Sequence, residues 1–380
     1  MADSDITEAV PAQQKPNLVS ILTAGLGLGA SDIHLTVGRP PMVRVNGELI
    51  EMSQFLPLDA ESCRKMIYSC LYEKQRAEFE AQMDLDCSIR IKDAARFRIN
   101  VLRQRGAAEA VFRVIPETIP TPEFLGLGPN VMSLADYPHG LILVTGPTGS
   151  GKSTTMACLI EKINQNHRKH IITIEDPIEF VYERKMSVIR QREVGVDTRS
   201  FGHALRQALR QDPDVLLIGE MRDVETISLA LTAAETGHLC FATLHTADSA
   251  QSIDRIVDVF PAEQQQQIRV QLSNSLKGVV SQVLLPRADG NGMVAAREFL
   301  SVTAGVAHQI RDGKSHMIKN MIETGGRAGM FSLEKSLAEL ARSGVVDPKE
   351  AAVRMPPSGD TEEDAGRFGI NRPLAEAVIQ

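Results

Sequence analysis

The run Gly146-Pro147-Thr148-Gly149-Ser150-Gly151-Lys152-Ser153 fits the pattern G-x-x-x-x-G-K-S/T in full. An apolar stretch at 141–144 precedes it and reads as a buried strand, and residues 154–160 read as the first turns of a helix. Strand, glycine-rich loop and helix is the context in which this spacing cradles phosphate. The glycines let successive backbone N–H groups turn inward around phosphate oxygens, and a helix N-terminus adds partial positive charge. Residues Gly146 to Ser153, together with Thr154, are therefore expected to wrap the nucleotide. Lys152 would reach the β- and γ-phosphates of ATP, and Ser153 would offer its hydroxyl to Mg²⁺. A chance glycine-rich turn is the competing reading, and the matching flanks argue against it.

Three further constellations lie downstream. Asp214-Val215-Leu216-Leu217-Ile218-Gly219-Glu220 is an apolar run delivering a carboxylate, as a Walker B strand does. The acid usually follows the run directly; here Gly219 intervenes and Glu220 supplies the group that would hold a magnesium-bound water. Thr173-Ile174-Glu175-Asp176-Pro177-Ile178-Glu179 puts three carboxylates at a strand end. It reads either as a solvated turn opened by Asp176-Pro177 or as a site where Glu175 polarises an attacking water. Sequential strand ends of an open α/β sheet converge on the ligand crevice, which favours the second reading. His238 and His245 bracket another apolar run, with Thr243 and Thr246 nearby. A histidine at a strand end is commonly structural; a pair could sense the γ-phosphate, and the residues alone leave both readings open.

Nearer the N-terminus, Arg96, Arg98 and Asn100 alternate with Phe97, Ile99 and Val101, so the two sets face opposite sides of a strand. The next run carries Arg113 among apolar residues. These arginines are either ordinary occupants of a solvated sheet face or, for Arg98 or Arg113, arginine fingers reaching a neighbouring subunit's nucleotide. Periodicity does not choose between them.

The elements that must position these groups fall into two blocks. Residues 1–16 are polar and expected to be disordered. Residues 17–115 mix strand signals at 33–37, 42–45, 85–91, 95–102 and 108–115 with helical periodicity at 60–80, and Asn46-Gly47 signals a hairpin. This is an α+β domain. Three prolines within 116–122 mark a linker, taken as 116–124. Beyond it, short apolar strands at 141–145, 171–175, 215–218 and 240–244 alternate with helices, predicting a mostly parallel sheet covered on both faces. Residues 261–342 read as chiefly helical with a late strand at 294–299, and 346–380 as a mobile tail.

Composition narrows the classes. The 380 residues are 43% apolar, enough for two cores, with 41 Lys and Arg against 48 Asp and Glu. A net charge of -7 gives no footprint for nucleic acid. No apolar run approaches a membrane span, and the acidic start lacks the features of a signal peptide, so a cytoplasmic location is expected. Five scattered cysteines without C-x-x-C spacing speak against a zinc site.

Together the motifs resemble the type II/type IV secretion ATPases, and among them the type IV pilus retraction group of PilT and PilU. The family's four blocks fall in order at 146–153, 173–180, 214–220 and 237–245, and the resemblance runs from about residue 17 to 345. It implies a PAS-like N-terminal domain (17–115) joined to an α/β RecA-like P-loop core (125–345) with a helical C-terminal region. It also implies a homo-hexameric ring at the cytoplasmic face of the inner membrane, powered by ATP and Mg²⁺. Arg98 and Arg113 then match arginines presented from the N-terminal domain, and Glu175, Glu220, His238 and His245 become active-site residues. The implied partners are an inner-membrane platform protein and, for an accessory member, the principal retraction ATPase.

Two departures refine the branch. No cysteine follows Cys240, whereas extension and secretion members carry a tetracysteine zinc motif there. The principal motors' Ala-Ile-Arg-Asn-Leu-Ile-Arg-Glu stretch is replaced by Gly305-Val306-Ala307-His308-Gln309-Ile310-Arg311-Asp312, keeping only Ile310 and Arg311 outright. That points to the accessory, PilU-like branch. The alternative is a nucleotide-regulated adaptor that docks on a partner motor and hydrolyses little itself.

Overall fold

The computed structural model describes residues 15–45, 47–91, 95–115 and 118–355. Most of the segment expected to be disordered, the tail from 356, Asn46 of the hairpin and residues 116–117 of the linker lie outside them. The chain divides into two compact units after residue 117.

The first unit is built on six strands: β1 (Asp32–Leu35), β2 (Met42–Val45), β3 (Glu48–Glu51), β4 (Asp84–Ile91), β5 (Ala95–Gln104) and β6 (Ala107–Ile115). All neighbours are antiparallel in the order β3-β2-β1-β6-β5-β4. The alternation in β5 holds: Ala95, Phe97, Ile99 and Val101 are buried, while Arg96, Arg98 and Asn100 are half-exposed on the other face. Phe97 meets Phe112 of β6 edge to face at 6.2 Å. Helices α1 (Leu18–Gly27), α2 (Ala60–Cys70) and α3 (Glu73–Gln82) contribute to the same core. Gly25 of α1 is needed because a Cβ there would stand 2.6 Å from the Ile33 Cδ1. The single helix expected over 60–80 is two helices. Leu71 takes an extended ψ of 140° and buries its side chain, and Gln75 accepts a hydrogen bond from the Tyr72 N–H at the start of α3.

The second unit holds seven strands: β7 (Gly140–Thr145), β8 (His170–Glu175), β9 (Val188–Glu193), β10 (Val215–Ile218), β11 (Leu239–Leu244), β12 (Leu276–Pro286) and β13 (Met293–Ser301). Their order is β13-β12-β7-β11-β10-β8-β9, parallel throughout except for β13 against β12. Helices α4 (Pro129–Met132), α5 (Lys152–Asn166), α6 (Phe201–Ala208), α7 (Val224–Glu235), α8 (Ser249–Asp258), α9 (Ala262–Ser275), α10 (Ala304–Arg311), α11 (Ile318–Thr324), α12 (Leu333–Arg342) and α13 (Pro348–Val353) complete it. The period of two sorts the central strands between two cores. Leu141, Leu143, Leu216, Ile218, Cys240 and Ala242 pack with α6, α7 and α8. Ile142, Val144, Val215, Leu217, Leu239 and Phe241 pack with α5 on the opposite face.

Four expectations need correction. The stretch read as helical after 261 contains β12, which starts at the residue after α9 ends; no turn residue separates them, so nothing in the sequence marks the change. β9 was not anticipated, because its sequence VIRQRE is polar and edge-like. The linker from residue 118 packs with the second unit: Ile119 lies against its core, and the Cys158 thiol donates to the Pro120 carbonyl at 2.9 Å. The tail is packed as far as α13, with Val346 and Ala351 buried against β12 and α12 residues.

Candidate active site

The parallel register brings the carboxyl ends of β7, β11, β10 and β8 level with one another. Thr145 is opposite Leu244, Ile218 is opposite Ala242, and Ile218 is also opposite Ile174. The residues that follow each strand therefore gather along one sheet edge: the glycine-rich loop, His245, Glu220 and Glu175.

The loop leaves β7 at Gly146, where φ is +141°. A Cβ at this position would stand 2.2 Å from the Gln282 carbonyl oxygen, so only glycine passes. Gly151, at φ +83°, opens α5 without any side-chain cap. The first N–H groups of a helix have no partner within it, so this N-terminus is free to receive an anion. The Ser150 hydroxyl is buried without a hydrogen-bond partner among the described residues, as expected of a loop that closes around polar atoms. The Lys152 Nζ donates to the Gly146 and Pro147 carbonyls, each at 2.9 Å. Its burial pulls the ammonium below its ordinary range, against the opposing pull of Glu179 and Glu220. Ser153 and Thr154 follow in the first turn of α5, half-buried.

Gly219 also has a structural reason. Its N–H donates to the Ile174 carbonyl at 2.8 Å, and a Cβ there would meet that oxygen at 3.1 Å. β10 thus runs so close to β8 that its acid is displaced by one residue, to Glu220. The Glu220 Oε2 accepts from the Arg222 Nη2 at 2.7 Å and lies 3.6 Å from the His245 Nε2. Burial lowers the His245 pKa, Lys152 adds to that, and Glu220 opposes it. The imidazole is accordingly neutral at pH 7, able to donate one hydrogen bond and accept another.

Glu175 is 9% exposed. Its Oε1 accepts from the Thr173 hydroxyl at 2.5 Å and the Gln191 Nε2 at 3.2 Å, and its Oε2 from the Glu179 N–H at 3.4 Å. Burial nonetheless raises its pKa above the ordinary carboxylate range, the hydrogen bonds only partly offsetting it. A carboxylate of that kind is suited to taking a proton from water near neutral pH.

His238 is not brought to this edge. It precedes β11 whereas His245 follows it, so the six-residue strand separates them by about 20 Å. Its Nδ1 lies 3.0 Å from the Ala233 carbonyl, where it closes the C-terminal end of α7. Within one chain the two histidines therefore do not meet at the same strand ends. Arg98 and Arg113 lie in the first unit, directly opposite each other on β5 and β6. Arg113 Nε donates to Asp32 Oδ1 at 2.8 Å, yet its side chain is 67% exposed; Arg98 lies 3.7 Å from Asp86.

Sequence reasoning missed Gln282. It lies on β12 beside the loop, because Thr145 pairs with Ser281. Its Oε1 accepts from the Thr155 hydroxyl at 2.9 Å, and its Nε2 donates to the Ser150 carbonyl at 2.6 Å. One buried amide thus joins the loop to the first turn of the helix it feeds. Gln282→Leu keeps the volume and strands both partners, at a cost of about 1–3 kcal/mol each. Nucleotide affinity is expected to fall roughly tenfold or more by equilibrium titration. Unchanged affinity would show that the clamp is not needed. The signal that could have exposed Gln282 was weak: a polar residue inside an apolar run.

Residues 12–344 match the family described as Type II/IV secretion system protein. The chain is 47% identical over 335 residues to the type IV pilus retractation ATPase PilT of Pseudomonas aeruginosa, covering 88% of this chain and 97% of that protein. It is 38% identical over 332 residues to the type IV pilus ATPase PilU of the same organism, covering 87% of each. Its fold matches the crystal structure of the pilus retraction motor PilT with bound ADP at a TM-score of 0.85 and 44% identity, over 90% of this chain and 98% of that one.

Proposed function

This chain belongs to the Type II/IV secretion system protein family, in its type IV pilus retraction ATPase group, and from that premise we propose that it hydrolyses MgATP at the described sheet edge to drive pilus retraction. The observation that carries the reading is the convergence of Lys152, Glu175, Glu220 and His245 on the ends of four adjacent strands. The loop amides and Lys152 hold the phosphates, and the Lys152 ammonium exchanges its two carbonyl partners for phosphate oxygens. Ser153 and Glu220 are the residues that would hold the magnesium arriving with the nucleotide, whose charge would offset that of the phosphates. Glu175 takes a proton from the attacking water as its oxygen bonds the γ-phosphorus and the bond to the β-phosphate oxygen breaks. His245, neutral and beside Glu220, donates to the γ-phosphate and reports its loss.

The proposed assembly is a homo-hexamer at the cytoplasmic face of the inner membrane. Arg98 and Arg113 of one subunit complete the neighbour's site, and closure around the ring moves an inner-membrane platform protein. The exposure of Arg113 despite its Asp32 partner supports such a role. The finer proposal is an accessory motor working beside a principal retraction ATPase. It rests on 305–312: Val306 and Ile310 anchor α10 in the core, so the replaced positions Gly305, Ala307, His308 and Gln309 alter chiefly its exposed and half-exposed surface. The greater identity to PilT than to PilU favours a second reading, a motor that retracts pili alone.

Retraction assayed in cells without their own motors, with and without a principal retraction ATPase, separates these. Retraction enhanced only beside that partner is the expected result, and retraction by this chain alone selects the second reading. No effect in either background rejects the retraction role. Full support by Glu220→Ala beside an active partner would reduce the protein to an adaptor.

A further inference from the structure

Arg297, on β13, is only 6% exposed, and it is placed unlike a structural arginine. Its Nη1 donates to the Gly126 carbonyl at 3.3 Å. Neither Nε nor Nη2 has an acceptor among the described residues, and Nε is wholly buried. No Asp or Glu among those residues pairs with it, and burial draws the guanidinium down to about 10. Buried charges are normally paired, because an uncompensated one costs several kcal/mol of hydration.

The guanidinium lines a cavity of about 430 Å³. That volume is within the range of small-molecule sites, about 300–1,000 Å³. Leu125, Val131, Val294, Phe331 and Leu340 give it apolar walls, and Lys335 and Glu339, both exposed, also line it. All of these residues belong to the second unit. The cavity shares no lining residue with the glycine-rich loop, Glu175, Glu220 or His245.

We propose that this cavity is a binding site for a small monoanion with an apolar body: a carboxylate accepting from the Nη2 end of the Arg297 guanidinium and a hydrocarbon portion against the apolar walls. A hydrogen bond from a guanidinium to a carboxylate is charge-assisted and roughly twice as strong as a neutral one. A single buried cation matches a single negative charge, since the exposed Lys335 and Glu339 at the lining carry opposite charges. The ligand would supply the counter-charge that the protein withholds, which explains why an unpaired arginine is kept there.

The test is thermal unfolding of the full chain without nucleotide, using octanoate as the probe and inorganic phosphate as the contrast. Wild type should gain roughly 5 °C at a hundredfold excess of octanoate over its Kd. Lys152→Ala should show the same gain, since the nucleotide loop is not involved. Arg297→Met keeps the volume and removes the unpaired charge; it should unfold no lower than wild type without probe and should not respond to octanoate. Ala295→Leu fills the cavity from another lining residue and should also lose the response. The proposal is overturned by an unresponsive wild type, or by a response that survives in both cavity variants. It is equally overturned if Arg297→Met lowers the probe-free Tm, which would make the arginine structural. A larger Arg297-dependent gain with phosphate would overturn the carboxylate assignment.

Discussion

Lys152→Ala should cut ATP hydrolysis by at least about a hundredfold, the loss typical of removing one donor aimed at developing charge. The ammonium is already withdrawn from water, with two carbonyls of its own loop as partners. Bringing phosphate oxygens to it therefore costs little reorganisation, and alanine replaces a positioned charge with nothing. The measurement is steady-state phosphate release at a protein concentration that supports assembly; retention of more than about a tenth of the wild-type rate would reject the proposed role. The same variant tests the trans arginines. Subunits carrying Lys152→Ala, mixed with equal amounts of subunits carrying Arg98→Ala and Arg113→Ala, would regenerate about a quarter of the sites if the arginines act between subunits. If the lysine and the arginines serve the same chain's site, the mixture stays inactive.

Glu175→Gln should lower kcat by roughly 10²–10⁴-fold and leave nucleotide affinity within a few-fold of wild type. The amide preserves shape and some of the hydrogen bonding around Thr173 and Gln191 but cannot take a proton. The pH profile adds an independent check. A base must be ionised, and burial raises this carboxyl, so the acid limb of kcat should lie above the ordinary carboxylate range and vanish in the variant. The stability sign is opposite. A folded pKa raised above its unfolded value contributes stability below the unfolded pKa, and that contribution is lost as pH rises through the folded one. The site therefore gains its base in the pH range where the fold loses that contribution. Tight nucleotide binding with an unchanged kcat in Glu175→Gln would move the base elsewhere.

Much of this was legible because the local rules agree. A glycine that must turn through φ +141°, apolar runs with period two and acids at strand ends each leave a pattern within a few residues. Gly219 is an instructive intermediate: the sequence showed an irregular acid, and only the Ile174 carbonyl oxygen, which a Cβ at Gly219 would meet at 3.1 Å, explained the extra residue. Gln282 was out of reach because its meaning depends on register with a strand more than a hundred residues away. The surroundings of His238 were out of reach for a related reason. Two residues flanking one strand are close in sequence, while the parallel sheet sends them to opposite edges. The seam between α9 and β12 lacked the glycine or proline that usually marks a change of element.

That late strand bears on how the protein is made. β7 carries the phosphate loop and is flanked by β11 and β12, so one of its two hydrogen-bonded neighbours is translated more than a hundred residues after it. Until then β7 is an exposed apolar edge, and neither the Gln282 clamp nor the carbonyl that shapes Gly146 exists. During synthesis at about 5–20 residues per second, this leaves several seconds in which a nascent chain has the loop but no working nucleotide site. Nucleotide binding therefore becomes possible only once the core is nearly complete, and an interrupted chain is left with a sticky strand edge.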